Sequence, residues 1–112
     1  MAGQPLSLVA AVALLEHGAF NLIRRGQDGS LVLSLDRWRC AGLIGEALRF
    51  DAVEPREGQP APLVLPIEEI AEATWDRLPR QQVRAQVRFL LRSGDLLTFS
   101  GQIDASRLEG AP

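Results

Sequence analysis

A chain of 112 residues with a formal net charge of −2 fits one domain and excludes whole-molecule attraction to DNA, RNA or an anionic membrane. Any affinity for phosphate has to come from a local patch. Hydrophobic residues make up 46% of the chain, enough for a continuous core, and the single cysteine, Cys40, excludes an internal disulfide. All twelve basic residues are Arg and are spread over the whole length, which reads as the codon bias of a GC-rich genome.

Residues 1–5 form a polar, proline-containing lead-in. Leu6 to Glu16 is rich in Ala and Leu, with Leu8, Val12 and Leu15 on one helical face. So short an apolar run reads either as a helix or as the start of a strand pair. Ala11-Val12-Ala13 has the spacing of a signal-peptidase site, but no basic segment precedes it and the apolar stretch before it is too short. The run from Leu6 to Leu15 is also too short to span a bilayer, so the chain is expected to be soluble and cytoplasmic.

Ala19 to Arg25 reads as a strand, ended by Gly26-Gln27-Asp28-Gly29. From Ser30 to Leu35, Leu31, Leu33 and Leu35 alternate with Ser30, Val32 and Ser34, so the pair forms a hairpin. Arg37 to Cys40 extends its second strand, which Gly42 to Gly45 bends or ends. Glu46 to Val53 alternates again. Glu54 to Pro62 holds three Pro and one Gly in nine residues and reads as a surface loop. Strands follow at Leu63 to Ile67 and Ile70 to Asp76, separated by a turn at Glu68-Glu69, and Arg77 to Arg80 is a loop.

The clearest period-two pattern runs from Gln82 to Ser93, where Val83, Ala85, Val87, Phe89 and Leu91 alternate with Arg84, Gln86, Arg88, Leu90 and Arg92. Ser93-Gly94-Asp95 turns the chain into a returning strand, Leu96 to Ser100. Ile103 to Leu108 is expected to form a short helix.

Materials for catalysis are sparse: one His, one Cys and no Tyr. His17 and Cys40 lack a third group to orient them as a nucleophile pair. Carboxylates at Glu68, Glu69 and Glu72, and at Asp51 and Glu54, read as solvated surface. No phosphate-binding glycine loop, metal-ligand pattern or cofactor motif is present, and the chain is expected not to be an enzyme. Two Arg groupings stand out. Arg24 and Arg25, with Arg37 and Arg39 on the returning strand and Trp38 between them, are placed to converge at one end of a hairpin. Arg84, Arg88 and Arg92 share one face of the long strand, either as a basic stripe or as a solvated face paired with acidic neighbours. Nucleic acid is not an expected partner, because stacking aromatics are scarce.

The segment Gly29-Ser30-Leu31-Val32-Leu33-Ser34-Leu35-Asp36-Arg37-Trp38 resembles the G-x-L-x-L-T-x-x-R-L strand of GRAM and related bacterial PH-like domains. Glu16 to Asn21 is similar to the extended segment that precedes that strand, Leu65 to Ile70 to its I-P-L-x-x-I segment, and Val87 to Phe99 to its closing hairpin. Order and spacing agree over residues 16–100. The resemblance implies a mainly β fold: a bent antiparallel sheet or barrel of six or seven strands with a short terminal helix. It covers one domain, 1–112, with residues 109–112 as a tail. Family members end in a substantial amphipathic helix that plugs one end of the sheet, whereas about a dozen residues follow Phe99 here. That helix is truncated, replaced by Leu6 to Leu15, or supplied by a second copy. Phosphoinositide-binding members carry a basic cluster in and after the first hairpin, where this chain has Arg24, Arg25, Arg37 and Arg39 diluted by Asp28 and Asp36. The expected function is a non-catalytic interaction module that binds a protein partner or itself, with anionic lipid as the alternative ligand.

Overall fold

The computed structural model describes residues 3–54, 62–101, 103, 104 and 106. Among them are eight strands: β1 (Gln4–Pro5), β2 (Phe20–Arg25), β3 (Leu31–Ile44), β4 (Ala47–Ala52), β5 (Leu63–Pro66), β6 (Ile70–Leu78), β7 (Gln81–Leu91) and β8 (Leu96–Gly101). The one α-helix, α1, spans Leu8–Leu15, and a 3₁₀ turn covers Ile67–Glu69. All strands belong to one antiparallel sheet in the order β1-β6-β7-β8-β2-β3-β4-β5. Two meanders, β2 to β5 and β6 to β8, are thus joined where β2 pairs with β8.

Alternation explains which side is buried. Phe20 and Leu22, Leu48 and Phe50, Val87 and Phe89, and Leu97 and Phe99 all point to one side and form the core. Phe50 and Phe99 stack with ring centroids 5.5 Å apart. Their strands are three steps apart, about 14 Å on a flat sheet at the usual strand spacing. The sheet therefore bends so that β4 faces β8 across the core. Register shifts within β2/β3, β3/β4 and β6/β7 supply local bending of the kind that bulges produce.

Among the described residues the sheet does not close. Its two outer strands, β1 and β5, pair on one side only. The strand count is eight rather than six or seven, because the lead-in contributes β1, where Gln4 and Pro5 pair with Trp75 and Thr74. Both edge strands contain Pro, which leaves fewer amide donors for a stray strand.

Leu6 to Glu16 resolves as a helix. Ser7 caps it, its hydroxyl accepting from the Ala10 N–H at 3.2 Å. Ala11, Leu14 and Leu15 are buried, and α1 packs against β3. Strand β3 continues past Gly42 to Ile44, and the chain turns at Gly45-Glu46 instead. Of the segment expected to be a C-terminal helix, Asp104 forms a β-bridge with Arg84 and the Ile103 carbonyl accepts from the Ala85 N–H. The Ser106 N–H and hydroxyl donate to Asp104 Oδ1, and the remaining residues of the segment, like most of the proline-rich loop, lie outside the described residues.

Candidate functional site

The register of β2 with β3 decides where the first Arg group lies. Arg25 sits across from Leu31, and Phe20 across from Trp38. Arg39 is therefore six residues along the strand from Arg25, roughly 20 Å at strand rise. The hairpin does not bring the four Arg residues together. Arg24 binds Asp95, with Nε and Nη2 both 2.8 Å from Oδ2. Arg25 donates to the Gly29 carbonyl at 3.2 Å, and Arg39 is exposed. Trp38, 2% exposed, is a core residue and offers no contact surface.

The second group is similarly dispersed. Arg88 pairs with Asp76 at 2.8 Å. Arg92 lies beyond the end of β7, its N–H donating to the Glu69 carbonyl and its Nε to the Glu68 carbonyl. Arg84 and Arg88 alone share the outer face of β7. The carboxylate-paired reading of that face holds for Arg88.

Arg37 occupies an unusual position. It has φ +58°, the left-handed region that costs a non-glycine residue about 1–2 kcal/mol. Asp36 and Arg37 together face Asn21, so they form a bulge between the pairs Leu22–Leu35 and Phe20–Trp38. The Asn21 side-chain oxygen accepts from the Arg37 N–H at 3.2 Å, and the guanidinium lies 3.5 Å from Glu54. A concavity of about 310 Å³ opens here, lined by Ala19, Phe20, Asn21, Arg37 and Gly101. Gly101, at φ +128°, passes so close to β2 that a Cβ would stand 3.3 Å from the Phe20 Cα.

A second concavity, about 320 Å³, lies between α1 and the end of β3. Leu8, Val9, Val12, Ala13 and Leu43 form its walls, and Glu16 is its one charged residue among the described residues. No residue of α1 is polar. A helix that is apolar all round is normally buried, yet Val9 is 81% exposed and Leu43 54%. Glu46, exposed at the nearby β3–β4 turn, adds to the negative charge at this end. The sequence signal for this groove was the missing charge between Leu8 and Leu15, and Leu43 joins it only because β3 runs past Gly42.

Cys40 is buried, and burial pushes its thiol above the ordinary range, reinforced by the Glu16 carboxylate and opposed by the Gly42 backbone hydrogen bond. The thiol form is a poor nucleophile. Among the described residues no three His, Cys, Asp or Glu side chains are grouped to hold a metal, and no helix is long and apolar enough to cross a membrane. Comparison of the chain with protein-family models, with curated proteins and with solved structures finds no match.

Proposed function

We propose that this chain is a non-catalytic protein-interaction module of PH/GRAM-like architecture, and that its contact surface is the groove between α1 and Leu43. The architectural part is supported by a bent antiparallel sheet whose seven longer strands accompany a single short helix packed on β3. In that reading α1 stands in for the family's closing helix. The functional part is carried by one observation: an uncharged helix leaves Val9 and Leu43 in water beside one another.

The chemistry of the groove selects its partner. Its floor is aliphatic, its charged residue is Glu16, and no Arg lines it among the described residues. A protein segment presenting aliphatic side chains flanked by Lys or Arg complements it, as an amphipathic helix does in a hydrophobic groove. An anionic headgroup meets the wrong charge there.

The test is a backbone-amide NMR titration of the full chain with a synthetic Leu/Lys amphipathic peptide, with Leu/Glu and Ser/Lys peptides for comparison. Shifts are expected over Leu8 to Glu16 and at Leu43 with the Leu/Lys peptide, and Leu43→Ser should weaken binding about tenfold or more. Equal binding of the Ser/Lys peptide, or shifts remote from α1, would overturn the assignment. So would binding to phosphatidylserine vesicles at low salt that Arg39→Glu abolishes, since that outcome belongs to the lipid reading.

A further inference from the structure

The outer face of the sheet carries a second pattern, visible only once the registers are known. Cα partners place Glu72, Leu90, Leu96, Arg25 and Leu31 in one row across β6, β7, β8, β2 and β3. Glu72, Leu90, Leu96 and Arg25 point away from the core, because the adjacent row, Ala73, Phe89, Leu97 and Arg24, takes the opposite parity. An antiparallel sheet normally presents polar side chains on its solvated face. Here Leu90 is 40% exposed and Val32 56%, with Ile23 half-buried close by.

Neither charge in the row has an oppositely charged partner among the described residues. Arg24, Arg37, Arg49 and Arg88 each pair with a carboxylate, whereas Arg25 has only the Gly29 carbonyl. Glu72 has neither hydrogen bond nor ion pair among the described residues, and its column is three strands from that of Arg25, about 14 Å. Read across four strands, the row is acid, Leu, Leu, base.

That order is self-complementary under a two-fold rotation. We propose that two copies of this chain stack their outer faces about an axis running along the strands between β7 and β8. Leu90 of each copy then meets Leu96 of the other, and Glu72 of each meets Arg25 of the other. The result is an isologous contact with an apolar centre and two identical ion pairs at its flanks. The sheet is convex on this side, so short Leu side chains at the crest and long charged ones on the slopes fit its shape. The contact does not involve the α1 groove and stands apart from the function proposed for it.

Sedimentation equilibrium on the full chain tests this through charge reversal. The unmodified chain is expected to dimerise. Arg25→Glu sets Glu against Glu twice, and Glu72→Arg sets Arg against Arg twice, so each variant alone should dissociate more than about tenfold more readily. Mixing the two variants restores both ion pairs in a heterodimer, and so does combining both changes in one chain. Recovery on mixing is the decisive result, because a merely misfolded variant would not be rescued. A strictly monomeric unmodified chain at millimolar concentration overturns the proposal, as does a dimer indifferent to these reversals. A dimer broken by Val9→Arg but not by Arg25→Glu also overturns it, moving self-association to the groove. The Leu/Lys peptide titration on monomeric Arg25→Glu separates the two surfaces: it should still shift α1.

Discussion

The two faces of this sheet are built from the same alternating strands, yet they differ in kind. On the concave face, Phe20, Phe50, Phe89 and Phe99 form one connected set of ring contacts with centroids 5.0–6.1 Å apart. On the convex face, ion pairs such as Arg88–Asp76 and Arg49–Asp51 sit beside bare Leu and Val. The stability of the molecule is expected to reside on the concave face and its recognition elsewhere. Neighbouring residues on one strand should therefore differ sharply in energetic weight.

Phe99 and Thr98 are the strongest test of that difference. Phe99 touches the rings of Phe20, Phe50 and Phe89, and so links the two meanders across the bend. Phe99→Ala should cost about 3–5 kcal/mol in urea-denaturation experiments, a large share of a small domain's stability. Thr98→Ala, one residue away on the outer face, should change it by no more than about 0.5 kcal/mol. Comparable losses at both positions would mean that the outer face holds the fold as strongly as the core does.

Arg37 breaks the pattern in the opposite direction. Its left-handed backbone is unfavourable for Arg, and its ion pair with Glu54 is exposed on both sides, so the pair recovers little. Arg37→Gly removes the strain but loosens the unfolded chain, leaving a net gain of about 0.5 kcal/mol, read as a raised denaturation midpoint. A loss instead would show that the guanidinium holds the bulge together.

Two partly exposed ion pairs give a finer comparison. Arg24 lies on the core-side parity of β2, across from Leu33 and Leu97, and grips Asp95 through two nitrogens. Arg88 meets Asp76 on the outer face through one, and Asp76 Oδ1 is buried without a hydrogen-bond partner. Double-mutant cycles should give a coupling of up to about 1 kcal/mol for Arg24–Asp95, and less for Arg88–Asp76. The reverse order would assign the outer face a structural role.

Much of the concave face was readable in the sequence, because period-two alternation translates into buried and exposed sides from Ala85 to Leu91 and at Leu33 and Leu35, whereas Val83 and Leu31, near the starts of their strands, are exposed. The helix was ambiguous for a physical reason: Leu8 to Leu15 is apolar all round, so it carries almost no periodicity. Strand β1 was invisible because Gln4 and Pro5 join the sheet through backbone pairing, without a side-chain pattern. Both candidate surfaces depend on register. Trp38 lies across from Phe20, and Leu90 across from Leu96, only because bulges and turns fix the pairing of strands distant in sequence. Arg24, Arg25, Arg37 and Arg39 looked convergent in a short hairpin, but β3 is fourteen residues long and separates them.

The turn between β2 and β3 offers the smallest and most local test. Asp28 Oδ1 accepts from the Ser30 hydroxyl at 2.6 Å and from the Ser30 N–H at 2.9 Å. These bonds, the hydroxyl's first, hold the Asp28 carboxyl below the ordinary aspartate range. A depressed folded-state pKa means that the unfolded chain binds the proton more readily. The contribution is fully present above the unfolded value of about 3.9 and is lost as pH falls through the lower folded value. Ser30→Ala removes the larger of the two bonds, so an NMR titration should move the Asp28 midpoint upward while the core Phe resonances stay in place. An unmoved midpoint would assign the shift to the Ser30 amide alone. Movement of the Phe resonances would mean that this turn, outside the core, is coupled to the concave face.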